Sequence, residues 1–389
     1  MNTTQRGVVT LLKSAITGET LPLPEDFDLA QALPQLTKHH MAALLYQGAA
    51  TCGIPRQEEA MKALFQGYYR SLLISEGQMT QVKRIYEAFD AKGIDYLPLK
   101  GCCMKPRYPH PELRTMGDAD ILIRLEQREQ VDAILEELGF QFKEETDHEL
   151  AWTSKKLYLE LHKHLIPSYN KDYHPHFGTG WQLAKHVAHG LHAMEPEEEF
   201  LFLFTHFAKH YRDGGIGCRY VVDLWVFLRS FPELNMEKVR QKLEPLQLLE
   251  FYENIRDLIA AWFEDGPEND KTEHMTDFIF ASGSWGQMES KALSRAVRDS
   301  KHSPMGFSGR LLYLWQTAFP PVSLLRSKYR VLKKMPWLLP VVWLIRPFYK
   351  VIFEFSSLEK QERNLNALSR ENLQDRSQAL RYVGLDYRF

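Results

Sequence analysis

Asp118 and Asp120 stand two residues apart at the entrance to an apolar run, Ala119-Asp120-Ile121-Leu122-Ile123. On a strand, the period of two turns both carboxylates to one face, with Cα atoms about 6.6–7 Å apart. Carboxylates so spaced can converge on one or two hard divalent cations through oxygen ligands. Glu160 lies in a second alternating run, where Leu157, Leu159 and Leu161 interleave with Tyr158, Glu160 and His162. If that strand lies beside the first, a third carboxylate joins the pair. Three crowded carboxylates repel one another until a metal or a proton neutralises them. A Mg²⁺-dependent phosphoryl or nucleotidyl transfer centre uses such a trio, with two metals clamping the attacking and leaving oxygens. His162 shares the strand face of Glu160 and can approach the same point.

Upstream, Leu99-Lys100-Gly101-Cys102 reads as a strand end entering a turn. Glycine lets backbone N–H groups approach a phosphate, and Lys100 or Arg114 would neutralise its charge. Each piece has an ordinary alternative. Asp118 after Gly117 suits a solvated turn, Glu160 suits the open face of an edge strand, and Lys-Gly suits any turn. Cys102 lacks an identifiable base and reads as a small buried residue rather than a nucleophile. The order of glycine turn, Asp-x-Asp strand and carboxylate strand is more specific than any part.

The stretch LKGCCMKPRYPHPELRTMGDADILI, followed by LYLELHKHL, resembles the uncharacterised nucleotidyltransferase family of the polymerase-β-like superfamily. The matching residues are Lys100-Gly101, Tyr108-Pro109, Arg114, Asp118, Asp120 and Glu160-Leu161-His162. A His-bearing stretch, His206 to His210, and then Arg219 and Asp223 extend the match, which covers about residues 35–290. The resemblance implies a nucleotidyltransferase fold, with Asp118 and Asp120 holding Mg²⁺ and Glu160 ligating metal or activating the acceptor hydroxyl. It implies attack of an acceptor oxygen on the α-phosphate of an NTP, with ATP expected as donor, and release of pyrophosphate. Lys100, Gly101, Cys102, Arg114 and His162 would line the nucleotide. The superfamily turn commonly reads Gly-Ser or Gly-Gly. Here it is Gly101-Cys102, which shifts phosphate contact toward Lys100 or Arg114.

The elements that must position these residues give an α+β chain. Residues 1–90 read as helical and end at Gly93. Residues 91–170 form a small mixed β-sheet core with strands at 95–100, 120–123, 140–145, 150–154 and 157–164, and a helix over 127–138. Residues 171–300 read as a larger helical region, with helices over 197–211, 219–230 and 236–263, and 301–389 as a basic aromatic segment with a last helix near 356–380. The spacing of His206 and His210 could bind metal, but no HExxH or cysteine pair accompanies it. Polar contacts between sheet and helices, with Asp223 as a partner, are the expectation there.

Composition sets the outer bounds. The 389 residues are 44% hydrophobic and 25% charged, with 48 basic against 50 acidic side chains. That excludes collagen-like, disulfide-stapled and uniformly cationic proteins. Four cysteines without a CxxC, no secretory signal and no apolar run long enough to span a bilayer predict a cytoplasmic protein. Residues 301–353 carry nine Lys or Arg, ten aromatics and no Asp or Glu. That segment is either packed structurally or docks an anionic surface, a peripheral membrane site or nucleic acid. The acceptor is then a small molecule, peptide or saccharide precursor. The alternatives are a toxin-like enzyme acting on tRNA or protein, or a non-catalytic nucleotide-binding scaffold with an eroded turn at Cys102.

Overall fold

The computed structural model describes residues 1–168, 170–283, 315, 319–320, 325, 329, 331–345 and 370–386. The chain forms two compact units, Met1–Ala208 with Ile216–Trp285, and Lys209–Gly215 with Gly286–Phe389.

The first unit opens with α1 (Thr3–Thr17), α2 (Leu29–Thr37), α3 (Ala42–Thr51) and the long α4 (Glu59–Lys92). Asn2 and Gln5 form a reciprocal capping box that starts α1. Gly93, with a left-handed φ of 66°, stops α4 and turns the chain into the sheet.

The strands are β1 (Tyr96–Leu99), β2 (Ala119–Ile123), β3 (Gln141–Glu145), β4 (Glu149–Thr153), β5 (Tyr158–His162), β6 (Ala184–Ala188) and β7 (Leu191–Met194). They form one mixed sheet in the order β3-β4-β5-β2-β1-β7-β6. β2 runs parallel to β5 and β1 parallel to β7, while β1 and β2 are antiparallel. Short α5 (Gly101–Met104) follows β1, α6 (Arg128–Glu137) follows β2, and α7 (His174–Phe177) follows β5.

One sheet face is fully committed to the core. Tyr96, Ile121, Ile123, Leu159 and Leu161 pack there with Val82, Ile85 and Phe89 of α4 and with Val131, Ile134 and Leu135 of α6. Each such buried aliphatic side chain stabilises the fold by roughly 1.5–3 kcal/mol. Because the helices cover this face, the alternate residues of β2 and β5, Asp120, Glu160 and His162, are turned to the other.

Two findings differ from the sequence expectation. The sheet continues past residue 170 through β6 and β7, inside a region read as helical. The stretch 184–194 carries three histidines and shows no clear apolar alternation, because β6 is largely exposed. Gly190 lets β7 reach β1: a Cβ there would lie 1.9 Å from the Ile94 carbonyl oxygen. The helix expected over 236–263 is two helices, α10 (Met236–Leu243) and α11 (Leu249–Phe263), parted where Gln247 adopts a positive φ of 48°. Helices α8 (Pro196–Asp213), α9 (Cys218–Ser230) and α12 (Asp270–Ser282) complete this part of the chain.

In the second unit, Leu325, Leu332 and Val342 form a small apolar cluster with Trp343 against it. Arg376, on the helix Arg370–Tyr382, donates to the carbonyls of Tyr211 and Arg212. Most of the basic segment 301–353 and of the helix expected near 356–380 lies outside the described residues. Among the described residues no helix is long and apolar enough to cross a membrane.

Candidate active site

Strand register builds the site. In the parallel pair, Asp120 lies beside Glu160 and Leu122 beside His162. In the antiparallel pair, Leu99 lies opposite Asp120, so Lys100 follows at the end of β1 directly above that carboxylate. Asp120, Glu160 and His162 thereby bring one ligand atom each within 4.8 Å of one another. Among the described residues this is the one group of three or more His, Cys, Asp or Glu so arranged. Among the described residues no such group forms around His206 or His210.

Asp120 is the hub. Its Oδ1 accepts from Lys100 Nζ at 2.6 Å and from His162 Nε2 at 2.8 Å. Burial alone would push this carboxyl up, but the Lys100 charge and the His162 hydrogen bond outweigh burial and hold it well below the usual carboxylate range. Burial opposes the Lys100 charge too, yet Asp120, Asp118 and Glu160 together raise its pKa. His162 is 2% exposed, and burial together with the Lys100 charge lowers its pKa. It is therefore a neutral imidazole whose Nε2–H orients Asp120, and its Nδ1 is buried without a hydrogen-bond partner.

Glu160 is the opposite case. Burial, then the charges of Asp118, Asp120 and Glu149, push its carboxyl up to about 8. Asp118 is half-buried just before β2, and burial and Asp120 raise its pKa as well. Crowded carboxylates held partly protonated are what a divalent cation would relieve. The donor set suits a hard cation at the carboxylates, with imidazole nitrogen a poorer partner for Mg²⁺ than oxygen.

Lys100 holds a strained backbone, φ 44° and ψ −108°, in a region that non-glycine residues seldom occupy. Gly101, next to it, is glycine for a packing reason: a Cβ would lie 2.8 Å from Met116 Sδ and 3.1 Å from Arg114 Nη1. Cys102 is 8% exposed and belongs to the core on the far face. Burial and the nearby Asp120 charge push its thiol up to about 12. Its side chain packs inward, as the sequence expects of a small buried residue.

Arg114 is not aimed at the carboxylates. Its Nε and Nη2 each donate at 2.9 Å to the two oxygens of Asp223 on α9, and Tyr108 Oη donates to the same carboxylate at 2.7 Å. Arg219 Nη1 adds a bond to the Thr115 carbonyl at 2.7 Å. Tyr108, Arg114 and Asp223, which are widely separated in sequence, thus form one buried network, and half-buried Arg219 ties the same loop before β2 to α9. Asp223, expected as a partner of His206 and His210, is engaged here instead.

Two residues beside the site escaped sequence reading. Glu149 pairs in register with His162, and His148 Nε2 lies 3.0 Å from Glu149 Oε2. Starting β4 at Leu150 instead of Glu149 hides them; the alternation Glu149, Ala151, Thr153 is the signal that could have found them.

The mixed sheet thus gathers a buried Asp120 and a half-buried Glu160 beneath Lys100. Residues 25–264 match the uncharacterised nucleotidyltransferase family, and the chain belongs to that family. Its enzyme class is therefore nucleotidyltransferase. No curated protein matches the chain. Two solved structures are similar. One is the solution structure of the antibiotic-resistance factor ANT(2'')-Ia, 16% identical over 44% of this chain and 92% of that chain, with a TM-score of 0.34. The other is a crystal structure of ANT(2'')-Ia in complex with adenylyl-2''-tobramycin, 16% identical over 43% of this chain and 95% of that chain, with a TM-score of 0.33.

Proposed function

We propose that the family's nucleotidyl transfer is carried out here by Asp120 and Glu160, with Asp118, Lys100 and His162 in support. The observation that carries this reading is the parallel register of Asp120 and Glu160, which sets two carboxylates side by side under Lys100. Asp120 and Glu160, joined by Asp118, would hold Mg²⁺. When bound, the cation supplies charge neutralisation for the phosphates and for the developing oxyanion. His162 keeps Asp120 in one orientation. Lys100, released from Asp120, becomes a cation for the triphosphate. Glu160 is then free to ionise and to take the proton of the acceptor hydroxyl. The acceptor oxygen forms a bond to the α-phosphorus as the bond to the β-phosphate oxygen breaks, and pyrophosphate leaves.

The acceptor we favour is a hydroxyl or phosphate of a small molecule, peptide or saccharide precursor, with ATP as donor. The scaffold reading rested on Cys102 in the turn; the carboxylates are intact, and the Cys102 side chain belongs to the core rather than to a phosphate site. The tRNA reading rests on 301–353, most of which lies outside the described residues.

Transfer of label from α-labelled NTPs, and pyrophosphate release, should require Mg²⁺ in wild type. Both should fall at least a hundredfold in Asp120→Ala and in Glu160→Ala. Equal turnover in wild type and both variants would sink the assignment.

A further inference from the structure

Helix α4 is apolar on two opposite faces, and only one of them is buried. Met61, Leu64, Val82, Ile85 and Phe89 lie on the inner face, against α3 and the sheet core. On the outer face Phe65, Tyr69 and Leu73 are 48%, 53% and 57% exposed. They follow one another at four-residue steps, so they form a continuous stripe rather than scattered surface residues. A helix with apolar side chains all round is ordinarily covered on every side.

The ends of the stripe are charged, and its spacing is symmetric. At about 100° per residue, Lys62, Phe65, Tyr69, Leu73 and Glu76 fall within an arc of about 80° on the helix. The steps between them are three, four, four and three residues, the same read from either end. A second α4 laid antiparallel, with a twofold axis at Tyr69, would set Tyr69 against its own copy and Phe65 against Leu73 of the second copy. Lys62 would then meet Glu76 at both ends. A parallel arrangement would oppose Lys62 to Lys62 and Glu76 to Glu76. Charge pairs flanking an apolar seam select orientation in this way. Lys62 is free to make the exchange, since its ion pair with Glu59 is exposed on both sides and weakly held.

The stripe is braced from within. The Tyr46 ring lies 5.4 Å from that of Phe65 and 5.2 Å from that of Tyr68, and Tyr68 Oη donates to Glu112. Side chains already held in place lose less freedom on association. Half-exposed side chains of this size offer roughly 100 Å² each. With Ile74, 51% exposed beside the stripe, each copy presents four of them. That is about 800 Å² for the pair, below the 1,200–2,000 Å² of tight complexes, so the association fits a reversible, micromolar dimer.

We propose that the outer face of α4 is a self-association surface, on which a second copy of this chain docks antiparallel about Tyr69. The test is sedimentation of the full chain from about 1 to about 100 µM, a range that brackets micromolar affinity. Wild type should pass from monomer to dimer. Tyr69→Lys, which sets two lysines against each other on the axis, should weaken the dimer at least about tenfold. Circular dichroism should be unchanged, because the side chain is half-exposed. Lys62→Glu alone should weaken the dimer about threefold, and adding Glu76→Lys should restore it, because each charge pair is then reversed rather than broken. A wild type that stays monomeric at the highest concentration would overturn the proposal, and would leave the face to another partner. A dimer insensitive to Tyr69→Lys would overturn it by placing the interface elsewhere. A dimer weakened by Tyr69→Lys but not restored by the double charge reversal would overturn the antiparallel register.

Discussion

Lys100 Nζ sits 2.6 Å from Asp120 Oδ1, in a site where Asp120 is 2% exposed. The lysine occupies the position from which a divalent cation would draw on that carboxylate, and it reaches there from a strained backbone. Without a cation, the lysine is what keeps a buried carboxylate ionised. Lys100→Met should therefore cost about 1–3 kcal/mol of stability in EDTA, because it leaves a buried charge with only His162 as partner. Saturating Mg²⁺ should recover more stability in this variant than in wild type. Urea unfolding with and without Mg²⁺ checks both halves, and equal Mg²⁺ stabilisation of the two proteins would count against cation binding at Asp120.

Glu160 makes stability depend on pH in a defined direction. Its folded carboxyl is pushed up to about 8 from an ordinary value of 4.5. Above about 4.5 the unfolded chain has lost this proton while the folded chain retains it. The folded state then binds more protons, so stability falls as pH rises from about 4.5 to about 8. In EDTA, Glu160→Gln should flatten that fall. Asp120 acts in the opposite sense and only in acid, since its pKa is lowered. Thermal unfolding from pH 5 to pH 8.5 measures the difference.

Cation binding should also release a proton from Glu160 at neutral pH. Titration of Mg²⁺ into wild type in two buffers of different ionisation enthalpy should show a buffer-dependent heat. Glu160→Gln should show less. Identical heats in both buffers for wild type would mean that Glu160 is not among the groups meeting the cation.

The Arg114–Asp223 fork predicts a structural role for two residues of the family pattern. Removing either partner alone, as Arg114→Met or Asp223→Leu, should destabilise by about 3–5 kcal/mol because it strands a buried charge. The double variant should recover part of that loss. A double-mutant cycle by urea denaturation would give a coupling above about 1 kcal/mol.

Gly101→Ala tests the close packing of the turn. The added methyl meets Met116 Sδ and Arg114 Nη1 within 3.1 Å. Overpacking of this kind costs about 1–3 kcal/mol, with a smaller loss if Met116 changes rotamer. Chemical denaturation of the variant provides the measurement.

Much of this site was legible from residue type and spacing. The period of two in β2 and β5 marked Asp120, Glu160 and His162 as residues facing away from the core, and burial of Ile121, Leu159 and Leu161 follows from the same alternation. Family resemblance supplied the order of the strands' chemistry. What alternation cannot supply is the neighbour of a strand. That β5 lies beside β2, in parallel and in a register that pairs Asp120 with Glu160, depends on contacts between distant segments.

The same limit explains the other differences. Arg114 could be recognised as a cation near the motif, but its partner Asp223 lies 109 residues away, and only packing of α9 on the motif loop brings them together. β6 and β7 carry little apolar period because one of them is exposed, so their place in the sheet rests on pairing rather than pattern. The chain's own chemistry determined which side chains could hold a cation and a phosphate. The tertiary structure decided which of them meet, and that Lys100 rather than Arg114 reaches Asp120, because hydrogen-bond register and packing act between residues that sequence spacing does not relate.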